Sequence, residues 1–114
     1  MSLRQELKRG STAALILALL DERPMYGYEI TKELERRSGG YFRATAGSLY
    51  PALHKLEQEG VVRGTWREGD QPESGPRRRY YFITEAGRQA LAQARSEWGL
   101  FAERILPLLQ PRDA

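Results

Sequence analysis

The spacing of apolar residues changes character twice along this chain. Ala13-Ala14-Leu15-Ile16-Leu17-Ala18-Leu19-Leu20 is an unbroken apolar run, which predicts a helix over residues 11–22 buried on all sides at the domain centre. Ser11 is the candidate N-cap, Pro24 ends the helix, and Leu3 and Leu7 share one face of a separate preceding turn within residues 1–9. Tyr26, Ile30 and Leu34 then recur every four residues and predict a second helix over about 26–37, stopped by Ser38-Gly39-Gly40. A third helix, over about 46–59 with Thr45 as cap, gathers Leu49, Ala52, Leu53 and Leu56 on one arc. Gly47, Pro51, His54, Lys55 and Gln58 lie opposite. Pro51 removes a backbone hydrogen bond and crowds the turn before it, so a short or kinked first turn is expected.

After Gly60 the period falls to that of strands. Val61–Arg67 and Arg77–Ile83 are rich in strand formers and flank a polar loop, Glu68–Pro76, with two glycines and two prolines. A β-hairpin with a long, exposed, mobile tip is expected. Thr84 then caps a last helix, in which Leu91, Ala94, Trp98, Phe101, Ile105 and Leu108 follow in alternating steps of three and four. Pro107 is expected to end or bend that helix before its last step.

Helix, helix, turn, helix, hairpin is the order of a winged helix-turn-helix. The expected class is mainly α with a β-hairpin wing (α+β), followed by a C-terminal dimerisation helix. Residues 1–83 form the reading unit and 84–114 the dimerisation helix, within one compact domain. In such a fold the third helix reads the major groove, the second braces it, and the wing sets cations beside the duplex.

Charge supports that expectation by its distribution more than by its sum. The net charge is +3, and the excess sits in residues 1–10 (+2) and 61–83 (+2), the latter around Arg77-Arg78-Arg79. Fifteen of the eighteen basic residues are arginine, whose planar fork suits phosphates and guanine edges. A charge run by itself is more often a solvated surface; its coincidence with the hairpin is what points to DNA. The 114 residues include no cysteine and one histidine, His54, which excludes disulfide scaffolds, thiolate metal sites and cysteine nucleophiles, and leaves no multi-histidine cage. No glycine-rich phosphate loop or carboxylate pair suggests an enzyme, and no cofactor is expected. The eight-residue apolar run is too short to span a membrane, and a cytoplasmic location is expected.

Three stretches together resemble the PadR transcriptional regulators. They are Leu15–Leu20 followed by Tyr26-Gly27-Tyr28-Glu29-Ile30, then GSLYPALHKLEQEGVV (Gly47–Val62), then GPRRRYYFITEAG (Gly75–Gly87), and the similarity covers about residues 11–105. The resemblance implies a dimeric, mostly repressing DNA-binding protein under a small effector, of the compact branch with one C-terminal helix. Gly47-Ser48 stands where Gly-Thr is commoner, and Glu68–Pro76 is longer than the usual wing loop.

The DNA-contact candidates are Tyr26, Tyr28, Ser48, Tyr50, His54, Lys55, Gln58, Arg77, Arg78 and Arg79. Ser48 bonds a phosphate or base edge, or makes a local cap bond. His54 and Gln58 face outward to read bases, or are simply solvated, and Lys55 meets phosphate. The resemblance suggests a phosphate contact for Tyr50; half-buried packing is the alternative. Of Tyr26 and Tyr28, one packs and the other offers its hydroxyl to a phosphate. Strand alternation sends Arg78 to the face opposite Arg77 and Arg79, so the three cannot all contact DNA. The last helix pairs with its twin through the seam, setting two reading heads at palindrome spacing. Trp98 meets its symmetry mate there or merely packs. The resemblance implies a flat aromatic effector at that position, with Leu91 and Phe101 lining the same cavity. An alternative function is a winged-helix module that binds another protein and no DNA.

Overall fold

A computed structural model of the chain describes residues 2–67 and 78–112. The order of elements is α1 (Leu3–Glu22), β1 (Met25–Tyr26), α2 (Gly27–Arg37), α3 (Ala46–Gln58), β2 (Val62–Arg67), β3 (Arg78–Ile83) and α4 (Glu85–Leu109). Expected and observed helices agree closely for α2 and α3 and diverge for α1. That helix runs unbroken from Leu3. Ser2 accepts from the Gln5 amide at 3.2 Å while Gln5 accepts from the Ser2 amide at 3.0 Å, a reciprocal cap. Ser11, the expected cap, lies mid-helix and donates its hydroxyl to the carbonyls of Leu7 and Lys8. Nothing in residues 3–10 breaks a helix, so the chain starts it at the first residue with a partner three positions on.

The core is built by Ile16, Leu17, Leu19 and Leu20 of α1 against Ile30, Leu34, Leu49, Leu53 and Leu56, with Met25, Val62, Tyr81 and Leu91 closing it. Burial of α1 is not all-round: Ala13 is exposed, and Ala14, Leu15 and Ala18 are half-buried. The loop between α2 and α3 turns through Gly39 and Gly40, both at positive φ, and inserts Phe42 into the core. Thr45 caps α3, which passes through Pro51 as one helix to Gln58. The kinked start expected from Pro51 gives way to a capped turn, because Thr45 holds the amide of Ser48 and Leu49 is fully buried.

Three strands form an antiparallel sheet in the order β1-β3-β2, with Val62 opposite Ile83 and Arg67 opposite Arg78. The two-residue β1 pairs Met25 with Tyr81 and Tyr26 with Tyr80. It is too short to leave a periodic signal in the sequence. The expected wing tip, Glu68–Pro76, and Arg77 lie outside the described residues. Thr84 caps α4 by accepting from the Gly87 amide at 3.0 Å, and its own hydroxyl donates to the Gly60 carbonyl at 2.7 Å. Pro107 does not end α4, which continues to Leu109. At 25 residues α4 is about 37 Å long. Its first half packs on α1, with Leu91 in the core and Arg88 3.5 Å from Asp21. Among the described residues, no helix is long and apolar enough to cross a membrane.

A charged clasp joins the ends of α1 and α2. Arg37 grips Glu22 and also Glu33 at 2.9 Å, and Arg36 reaches Glu33 at 2.7 Å. Hydrogen bonds from Arg36 and then Arg37 hold the Glu33 carboxyl at about 2, against an ordinary 4.5. Because the folded value is the lower one, the clasp contributes fully above pH 4.5 and is lost as pH falls toward 2. The Tm difference between the protein and its Glu33→Gln variant is expected to be small but measurable at neutral pH, and to close by about pH 2. A difference that persists there would deny the clasp any electrostatic part.

Candidate nucleic-acid interface

Burying Leu49, Leu53 and Leu56 fixes the rotation of α3 and leaves His54, Lys55 and Gln58 exposed on its other side. Ser48 is exposed but occupied. Its hydroxyl oxygen accepts from the Thr45 amide at 3.1 Å, and its own amide donates back to Thr45 Oγ1 at 3.3 Å. Of the sequence alternatives for Ser48, this is the local cap. Tyr50 is 48% exposed. Its hydroxyl end lies over Gly27, where a Cβ would stand only 2.4 Å from Oη, so the ring fills the space glycine leaves at the start of α2. Tyr28 is exposed, with the Lys32 ammonium 5.2 Å from its ring centre. Tyr26 is the tyrosine that packs, edge-on to Tyr80 at 5.4 Å.

The register divides the wing arginines between two sheet faces. Arg63, Thr65 and Arg67 alternate with Val62, Gly64 and Trp66, and their partners do the same on β3. One face therefore carries Arg63, Arg67 and Arg78 with Tyr26 and Tyr80. Arg67 stacks over the Tyr80 ring at 4.8 Å and Arg78 over the Tyr26 ring at 4.6 Å. Arg67 and Arg78 are direct cross-strand neighbours, a pairing of like charge, and each guanidinium rests on a ring of the Tyr26–Tyr80 pair. Among the described residues, no carboxylate forms an ion pair with Arg63, Arg67 or Arg78. Arg63 and Arg67 were not among the contacts expected from the sequence; their alternation with Val62, Gly64 and Trp66 is the signal that places them beside Arg78.

Arg79 lies on the other face. It folds across β2 to α3 and donates to Glu57, which is 22 positions earlier. With His54, Gln58, Tyr50 and the buried Tyr81, this pair lines a recess of about 510 Å³ between α3 and the sheet. Burial pushes the Tyr81 phenol upward, against a smaller pull from Arg79.

A second hollow separates α1 from α4. Leu7, Lys8, Leu15, Phe42, Leu91 and Trp98 are among the residues lining a groove of about 490 Å³. Phe101 borders a different hollow with Ala13 and Ala14, and Trp98 touches both. The two hollows adjoin through Ala14, Ala94 and Trp98, and in the single chain Leu91 lines the first and Phe101 the second. Ten helical residues separate them by about 15 Å. Trp98 and Phe101 meet edge-to-face at 5.8 Å and are 41% and 51% exposed. Beyond Leu91 the seam is barer: Ala94 and Ile105 are half-buried, and Leu108 is 78% exposed.

Residues 16–93 match the model of the transcriptional regulator PadR-like family. A transcriptional regulator of Mycobacterium tuberculosis is 33% identical over 102 residues, covering 90% of this chain and 89% of that protein. The negative transcriptional regulator PadR of Bacillus subtilis is 32% identical over 77 residues, 67% of this chain and 40% of that protein. The solved structure of a transcriptional regulator from Clostridium thermocellum is similar with a TM-score of 0.83 at 30% identity, covering 92% of this chain and 99% of that one.

Proposed function

Because this chain belongs to the PadR-like family of transcriptional regulators, we propose that it acts as a homodimeric repressor that reads a palindromic operator and is released by a small aromatic effector. The observation that carries the DNA-reading part is the exposed face of His54, Lys55 and Gln58 on α3, together with the arginines Arg63, Arg67 and Arg78 gathered on one face of the wing. In this reading His54 and Gln58 meet base edges in the major groove, while Lys55, Tyr28, Arg67 and Arg78 meet phosphates. Residues 1–83 are the reading unit and 84–114 pair the two subunits. Repression is favoured by the similarity to a negative regulator from Bacillus subtilis. The effector reading rests on Trp98, which borders both hollows along α4. A planar compound there would change the angle between subunits and so the spacing of the reading heads.

A mobility-shift titration on the DNA upstream of the protein's own gene, repeated over a range of salt, tests the reading. Log affinity should fall steeply with log salt. Arg78→Ala should weaken binding to every duplex and reduce the salt slope by about one. Planar aromatic compounds should release the complex and quench Trp98. Failure to bind at low salt and micromolar protein would leave the protein-binding module as the better reading.

A further inference from the structure

We propose that Arg79 and Glu57 are a positioning pair that locks the wing to the reading helix, and that Gly64 is glycine in order to admit the lock. The inference rests on the DNA-binding reading above for its function, and on geometry alone for its existence.

Arg79 begins on β3 and must cross β2 to reach α3, and the residue on β2 that it crosses is Gly64. A Cβ at Gly64 would lie 2.3 Å from Arg79 Nε, 2.7 Å from Nη2 and 2.9 Å from Cζ. The guanidinium therefore occupies the volume of the missing side chain. No positive φ requires glycine at this position, so the space is what the glycine supplies. Two rings flank the same guanidinium, Trp66 and Tyr81, each 5.7 Å away. At the far end Nη2 donates to Glu57 Oε2 at 2.5 Å, with the two side chains 32% and 24% exposed. Nε is buried and without a hydrogen-bond partner among the described residues.

The position of Glu57 gives the lock its consequence. It lies on α3 between His54 and Gln58, which face the recess that Arg79 also lines. One ion pair thus sets the angle between the element that reads bases and the strands that carry Arg67 and Arg78 to phosphate. A wing free to swing would still bear its charges but would meet the backbone in fewer orientations, and affinity would fall.

The test rests on the sign of one substitution. If Arg79 is a phosphate ligand and Glu57 only its neighbour, Glu57→Gln removes a negative charge beside DNA and should strengthen binding. If the pair is a lock, Glu57→Gln should weaken binding about tenfold, as should Arg79→Gln, and the double variant should be no weaker than either. Gly64→Ala sharpens the distinction. It changes no charge and fills the slot, and the lock predicts a similar loss. The probe is a labelled duplex of the protein's own upstream DNA, with Tm measured alongside to separate loss of reading from loss of fold. Tighter binding by Glu57→Gln, or unchanged binding by Gly64→Ala, overturns the proposal. Should the parent protein bind no DNA, the lock is tested by amide exchange. Faster exchange in residues 62–67 and 78–83 of Glu57→Gln, with α1 unchanged, supports it, and unchanged exchange there refutes it.

Discussion

In the proposed operator-binding dimer, the variant carrying Phe101→Asp and Leu108→Asp is expected to sediment as a folded monomer and to lose about 100-fold or more in affinity for DNA. Both positions are bare in the single chain, at 51% and 78% exposure, so carboxylates there cost the monomer little. Leu100, Leu106 and Leu109 are also more than half exposed, which leaves the distal half of α4 an apolar rod. Exposed apolar surface of that extent marks an interface. In a paired state each carboxylate would be buried without a partner, a cost large enough to undo a helix-to-helix contact. Losing the dimer would remove the second half-site contact, and bivalent binding commonly exceeds single-site binding by about 10²–10⁴. Circular dichroism should show the helices intact, because the core is centred on α1, α2 and α3. A variant that stays dimeric would mean the subunits meet elsewhere.

The second large effect is on stability. Gly87 is expected to tolerate no side chain, although it sits in the first turn of a helix, where alanine is intrinsically better by about 1 kcal/mol. A Cβ there would lie 2.1 Å from the Val61 carbonyl oxygen and 2.7 Å from Ile83 Cγ1. The first of these is backbone and already accepts from the Thr84 amide at 3.1 Å, so it cannot step aside. Relief would require α4 to lift from the start of β2, breaking the bond that the Thr84 hydroxyl donates to the Gly60 carbonyl and withdrawing Leu91 from the core. Gly87→Ala should therefore cost about 3 kcal/mol and lower Tm by roughly 10 °C. The same change at Gly99, in the same helix but with nothing within 4 Å, should leave Tm unchanged or raise it. Thermal melts of the two variants, read together, separate helix propensity from close packing. Equal Tm values would deny the contact with Val61.

What could be read from the chain was whatever a local period or a short cap motif encodes. The faces of α2 and α3, the alternation that sends Arg78 away from Arg79, and the apolar seam of α4 all follow from side-chain spacing along one element. The start of α1 is encoded too, by Ser2 and Gln5 three positions apart, but a two-residue cap is a weaker signal than the apolar run that begins at Ala13. The strand β1 was not legible, because two residues cannot display a period.

The sequence by itself determined the order of elements, the faces that must be buried and the surplus of arginine beside the hairpin, because each depends on neighbours within a few residues. Only the tertiary structure decided that Arg79 is tied to Glu57, why Gly64 and Gly87 are bare, and that Trp98 borders the groove between α1 and α4. Those outcomes depend on how a strand crosses a helix and how far a side chain reaches. The partners are brought together by packing of the whole core, so no local pattern along the chain specifies them.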